Sequence, residues 1–150
     1  MEANVEAGAL KRVLVTGGGT GIGLATVAEL LKRKIAVCAI GRRADVLGAA
    51  RDLGADIYPF DVRSDSTALF QKVGPVDGLV LSAGIQCREV LGNWTVEGWS
   101  SLLQTNLIAS AMLTQAFVGQ LSGPGSIVGV ASTLSRMPAP ATAAYAASKA

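Results

Sequence analysis

Tyr145 and Lys149 stand four residues apart in the stretch Ala143-Ala144-Tyr145-Ala146-Ala147-Ser148-Lys149-Ala150. On a helix, residues i and i+4 share a face, so this spacing makes a phenol and an ammonium neighbours. A free tyrosine titrates near pH ~10 and is a poor proton acceptor at neutral pH, but an adjacent cation favours its phenolate form. Lowering a pKa by about three units takes ~4 kcal/mol of differential stabilisation, of which Lys149 supplies part. A surface helix with a snorkelling lysine has the same spacing. Ser132 lies 13 residues before Tyr145. Its hydroxyl either holds a carbonyl oxygen beside the tyrosine or sits in the polar turn Ser132-Thr133-Leu134-Ser135. Asn106 interrupts an apolar helical run between Thr105 and Leu107. An Asn inside a helix costs propensity and needs partners if buried. It reads as a functional amide, a satisfied core amide or a polar spot at an interface.

A second group of residues suits phosphate. Thr16-Gly17-Gly18-Gly19-Thr20-Gly21-Ile22-Gly23 follows an apolar strand and opens a helix. Glycine permits the tight turn and a close approach of backbone N–H groups to a pyrophosphate. The helix start adds unpaired N–H donors and the positive end of the dipole. No Gly-Lys-Ser/Thr follows, which excludes a Walker loop. The reading is a dinucleotide-binding loop, against a merely tight strand–helix turn. At the end of the second strand, where an acid would bind the NAD ribose diol, Gly41-Arg42-Arg43 stands instead. Two guanidiniums suit a 2′-phosphate, so NADP(H) is favoured over NAD(H). The other reading is a solvated basic pair at a helix start, where the dipole disfavours it. Asp61, after the third strand, either accepts from an adenine amino group or caps the loop before Ser64.

Composition narrows the field. Half of the 150 residues are hydrophobic and 16% are charged, enough apolar surface for one globular domain. There is no histidine, which removes Ser-His-Asp and Cys-His catalysis, imidazole acid–base work and His-containing metal sites. The two cysteines, Cys38 and Cys87, cannot build a zinc cage and suggest a reducing compartment, so no metal is expected. A net charge of +2 without dense basic clusters argues against nucleic acid. Met1 to Ala9 lacks an apolar core and does not read as a signal peptide, and no run is long enough to span a membrane. The expectation is a soluble cytoplasmic protein.

The elements that must position these residues alternate. Strands are expected at Arg12–Thr16, Ile35–Ile40, Asp56–Phe60, Val76–Leu81 and Ser126–Ala131. Helices are expected from about Ile22 to Arg33, Ala44 to Leu53, Ser66 to Lys72, Thr95 to Leu121 and from Ala141 on. Near-continuous apolar strands with helical crossovers imply an α/β fold, a doubly wound parallel sheet of the Rossmann type with helices on both faces. The domain reading is an N-terminal extension over 1–10 and a dinucleotide-binding domain over 11–150. The long helix is apolar around much of its girth (Leu102, Leu103, Leu107, Ile108, Met112, Leu113, Phe117, Val118), which suggests a subunit interface or cover by further chain.

In this order the motifs resemble the short-chain dehydrogenase/reductase family. They are Thr16-Gly17 to Gly21-Ile22-Gly23, Asp61-Val62, Ser82-Ala83-Gly84, Asn106-Leu107, Ser132 and Tyr145-Ala-Ala-Ser148-Lys149-Ala150, spanning about Lys11 to Ala150. The resemblance implies NAD(P)-dependent oxidation of an alcohol or reduction of a carbonyl compound. It makes Tyr145 the acid/base, with Lys149 lowering its pKa and binding the nicotinamide ribose. Ser132 would orient the carbonyl and Asn106 would hold a water in a proton relay. It further implies that Thr16, Gly17, Gly19, Thr20, Gly21, Ile22, Gly23, Arg42, Arg43, Asp61, Val62, Ser82, Ala83 and Gly84 bind the cofactor together with Tyr145 and Lys149. Family dimers and tetramers often pack the long helix and the Tyr/Lys helix against a partner, so a homo-oligomer is expected.

This chain departs from the family at Leu81-Ser82-Ala83-Gly84, where many members have Asn-Asn-Ala-Gly, and at its end, directly after the Tyr/Lys motif. A sixth strand of the doubly wound fold is absent from the sequence, so the C-terminal strands are expected to be missing. A non-catalytic or truncated dinucleotide-binding module, such as a redox sensor or interaction protein, is the alternative to an oxidoreductase.

Overall fold

The computed structural model describes residues 10–150. The extension expected over 1–10, apart from Leu10, and the reading of Met1–Ala9 as no signal peptide lie outside the described residues. Short β-branched and apolar runs form β1 (Arg12–Thr16), β2 (Ala36–Gly41), β3 (Asp56–Pro59), β4 (Gly78–Leu81) and β5 (Ser126–Gly129). The helices are α1 (Gly21–Lys32), α2 (Ala44–Asp52), α3 (Ser66–Val73), α4 (Val96–Leu103), α5 (Ala109–Gln120) and α6 (Ala143–Lys149). All strand pairs are parallel, in the order β3-β2-β1-β4-β5. Parallel neighbours need long crossovers, and helices provide them here. The chain therefore winds outward from β1 in both directions, and a crevice opens beyond the carboxyl ends of β1 and β4 where the direction changes.

Period-two alternation along the strands sorts the core into two layers. Val13, Val15, Val37 and Ala39 pack with Val27 of α1 and with Leu47 and Ala50 of α2. Leu14, Cys38, Ile40 and Leu79 pack on the other face with Leu69 and Phe70 of α3 and with Leu113 and Phe117 of α5. The Phe70 and Phe117 rings lie 6.2 Å apart, centroid to centroid. Asp77 sets the start of β1 by accepting from the Lys11 and Arg12 amides at 2.9 to 3.1 Å. Arg12 then reaches across the sheet to Asp56 at the start of β3, at 3.2 Å. α3 starts on Asp65, whose carboxylate accepts from the Thr67 and Ala68 amides.

Two expectations change. The helix expected in one piece from Thr95 to Leu121 is α4 and α5 joined by a π-helical turn over Gln104–Ile108, with buried Asn106 at its centre. The turn carries Asn106, whose side chain bonds to partners outside the helix. The fifth strand stops at Gly129 and is exposed at all four positions, Val128 to 56%. Among the described residues β5 pairs with β4 alone. Of the long helix's apolar residues, Leu102, Leu113 and Phe117 are buried, whereas Leu107, Ile108, Met112 and Val118 are exposed. No helix among the described residues is long and apolar enough to cross a membrane.

Candidate active site

β1 delivers the chain into the glycine loop at the crevice. Gly17 takes φ +66°, the left-handed region, and a Cβ there would press on the Ala83 backbone at 3.1 Å. A Cβ on Gly23 would collide with the Gly17 carbonyl oxygen, and one on Gly19 would lie 2.8 Å from the Val46 carbonyl oxygen. The loop is thus folded tightly between α1, α2 and the segment after β4. Thr20 caps α1 without a side-chain hydrogen bond, and the first turn of α1 carries no acid. Backbone N–H groups and the positive helix end are left free to receive an anion.

The open cleft alongside has a volume of about 220 Å³. Nine of the sequence-derived cofactor residues line it: Gly17, Gly19, Thr20, Arg42, Arg43, Asp61, Val62, Ala83 and Gly84. Arg42 and Arg43 are exposed and make no ion pair among the described residues. Asp61 accepts from the Arg63 amide at 3.0 Å and from the Arg63 guanidinium, Nη2 to Oδ2 at 2.7 Å. Those bonds, with the charges of Arg63 and Arg42, hold the Asp61 carboxyl down to about 2. Asp61 therefore stabilises its own loop and also forms part of the cleft wall.

Other sequence-derived residues sit behind the lining. Thr16 is buried, and its hydroxyl accepts from the Ser82 and Ala83 amides, each at 2.9 Å. It fastens the end of β1 to the segment after β4, and its hydroxyl does not face the cleft. Gly21 and Ile22 begin α1 on its exposed side, and Gly23 lies buried beneath the loop. Gly18, which no cofactor role had claimed, leaves no space for a Cβ against Ala39.

At the far end of the crevice α6, the π-turn and the loops after β4 and β5 converge. Asn106 Oδ1 accepts from the Ile85 amide at 2.8 Å, and Nδ2 donates to the Ile85 carbonyl and to Ser148 Oγ, each at 2.9 Å. Both amide hydrogens are committed, so the side chain ties segments together and has no hydrogen left for a water. Lys149 Nζ donates to the Val130 carbonyl at 2.9 Å, and burial lowers its pKa. A Cβ on Gly84 would meet Asn106 Oδ1 at 3.2 Å and Lys149 Nζ at 3.6 Å, so Gly84 borders both the cleft and this cluster. Ser132 Oγ accepts from the Leu134 amide at 3.2 Å, at the start of a short 3₁₀ turn, Thr133–Ser135. Its own hydrogen has no acceptor among the described residues. Tyr145 is half-buried on α6.

Sequence reasoning missed Arg63, Ile85, Thr105 and Phe60 in the cleft wall and Ser148 behind it. Asp61-x-Arg63 spacing was a usable signal for the first. The others act through backbone groups or through packing that only the fold reveals. No cluster of three or more potential metal ligands occurs among the described residues.

A family model described as short chain dehydrogenase matches residues 11–150. The ketoacyl reductase HetN of Nostoc sp. is 33% identical, over 93% of this chain and 54% of its own. The NADP-dependent (R)-specific alcohol dehydrogenase of Lentilactobacillus kefiri is also 33% identical, over 93% of this chain and 61% of its own. A solved short chain dehydrogenase/reductase family protein superposes with a TM-score of 0.87 at 32% identity, covering 93% of this chain and 62% of its own. The chain thus spans little more than half to three-fifths of the length of these relatives.

Proposed function

The chain belongs to the short-chain dehydrogenase family, and from that premise we propose that it serves an oxidoreductase that interconverts a small carbonyl compound and its alcohol with NADP(H). The observation that carries the reading is the meeting of Asn106, Lys149 and Gly84 at the far end of a glycine-walled cleft. The residues present fit a dinucleotide phosphate: Gly17, Gly18, Gly19 and Gly23 leave no room for a side chain, the α1 start is uncapped by acid, and Arg42 and Arg43 make no ion pair among the described residues. A bound dinucleotide supplies or accepts the hydride. Tyr145 gives its phenolic proton to the carbonyl oxygen or takes it back from the alcohol. The uncommitted hydroxyl hydrogen of Ser132 holds that oxygen, and Lys149, anchored on the Val130 carbonyl and one helical turn from Tyr145, supplies a cation that favours the phenolate.

Arg42 and Arg43 support NADP(H) over NAD(H), as they would neutralise a 2′-phosphate. The exposed apolar face of Leu107, Ile108, Met112 and Val118 supports a homo-oligomer, dimer or tetramer. An exposed free thiol at Cys87 supports a reducing, cytoplasmic setting. The domain is read as one dinucleotide-binding unit over residues 11–150.

NADPH consumption with a panel of ketones tests the reading. Turnover is expected in the wild type and loss of it in Tyr145→Phe, with weaker NADPH but unchanged NADH binding in Arg42→Ala. Full activity in Tyr145→Phe overturns the catalytic assignment. NADPH binding without turnover favours a dinucleotide-binding module instead.

A further inference from the structure

Three segments distant in sequence meet at one buried amide. The Ile85 amide donates to Asn106 Oδ1 and the Ile85 carbonyl accepts from Nδ2, which fixes which end of the Asn106 amide is nitrogen. The second Nδ2 hydrogen then points at Ser148 Oγ, which must accept. Ser148 has one hydrogen of its own, and it goes to the Tyr145 carbonyl at 2.8 Å. The order of donation is therefore single-valued: Asn106 to Ser148 to the backbone of Tyr145. Ser148 is 5% exposed, so water does not substitute for either bond.

α6 depends on such contacts. Its capping residue Thr142 makes no side-chain bond to the helix start. A helix holds its place in a fold mainly by its side-chain contacts rather than by propensity. Two side-chain bonds pin the turn that carries Ser148 and Lys149, Ser148 to the π-turn and Lys149 to the residue after β5. We propose that Ser148 is a positioning residue, which sets the approach of Tyr145 and Lys149 to the cleft through Asn106. The proposal rests on Tyr145 being the acid/base group.

The test is a kinetic split with rescue in the active enzyme. Ser148→Ala lowers kcat by about tenfold to a hundredfold, the scale of a small misplacement of reacting groups, while KM for NADPH and for the ketone stays near wild type. Ser148→Thr, which keeps the hydroxyl, restores most of kcat. In the cofactor-free protein, the Asn106 side-chain amide hydrogens, identified by NMR through their loss in Asn106→Asp, exchange faster in Ser148→Ala than in wild type. Wild-type kcat in Ser148→Ala overturns the proposal, as does an equal loss in the Ala and Thr variants when both are folded. Should Ser148→Ala not fold, Ser148→Cys carries the same readouts: an intermediate kcat supports the proposal and a wild-type kcat overturns it. Tyr145→Phe is measured alongside. If it is fully active, the catalytic reading of the site fails. If it is inactive while Ser148→Ala is not, the positioning role alone fails.

Discussion

Replacing Asn106 by Ala removes a side chain that makes three hydrogen bonds in the middle of the molecule. The Ile85 amide, the Ile85 carbonyl and Ser148 Oγ each lose a partner. A buried hydrogen bond contributes about 1 kcal/mol net, and an orphaned buried group costs about 1–3 kcal/mol. Ile85 is half-buried, so water recovers part of the loss there, and the lower figure applies three times, about 3 kcal/mol in all. For a domain of this size that corresponds to a fall of about 6–12 °C in Tm. Urea unfolding followed by circular dichroism measures it, with a lowered midpoint at constant slope. Asn106→Asp sharpens the argument. It keeps the volume and the acceptor for the Ile85 amide, but its second oxygen confronts the Ile85 carbonyl. A loss at least as large is expected at neutral pH, shrinking as the carboxyl is protonated. A change below about 1 kcal/mol in Asn106→Ala would refute the reasoning, because water would then be satisfying Ser148, which is argued to be beyond its reach, as well as both Ile85 groups.

The remaining predictions concern the cleft. Asp61 has a folded value of about 2 against an ordinary 3.8, so its contribution to stability is present above about pH 4 and is lost as pH falls through 2. Arg63→Ala moves the Asp61 midpoint, read by carbon-13 NMR titration, up toward 3.8, and an unmoved midpoint would mean that Arg63 is not its cause. Gly23→Ala forces the new Cβ against the Gly17 backbone carbonyl and costs about 1–3 kcal/mol or more, with NADPH binding lost in a fluorescence titration. Gly21→Ala meets nothing within 4 Å and carries only the strain of φ +53°, about 1–2 kcal/mol, with weaker effect on binding. Equal NADPH affinity in wild type and Gly23→Ala would show that the loop is not the phosphate site.

Local pattern carried the strands, the crossover helices and the glycine loop, because periodicity, turn residues and helix caps are written within a few residues of where they act. Val13 and Val15 against Leu14 is a case in point, since alternation alone assigns them to opposite helical layers. The π-turn was only half legible. Asn106 stood out as a cost to a helix, but nothing nearby announced that its partners were Ile85 and Ser148, 21 and 42 positions away. Thr16 was legible as a loop residue and not as the acceptor for Ser82 and Ala83, because that bond exists only once β1 and β4 are neighbours.

The central place of β1 has a consequence for the way the protein is made. β1 is synthesised before both of its neighbours, β2 and β4, so one of its edges stays unpaired after β2 has docked. Forty residues separate the end of β2 at Gly41 from the end of β4 at Leu81. At translation rates of about 5–20 residues per second, that edge, with Val13, Leu14 and Val15 along it, waits about 2–8 s for its partner. An unpaired apolar strand is a template for another chain. The nascent protein is therefore most vulnerable to intermolecular pairing, and most in need of a chaperone, during synthesis of the segment that holds Asp61 and Arg63.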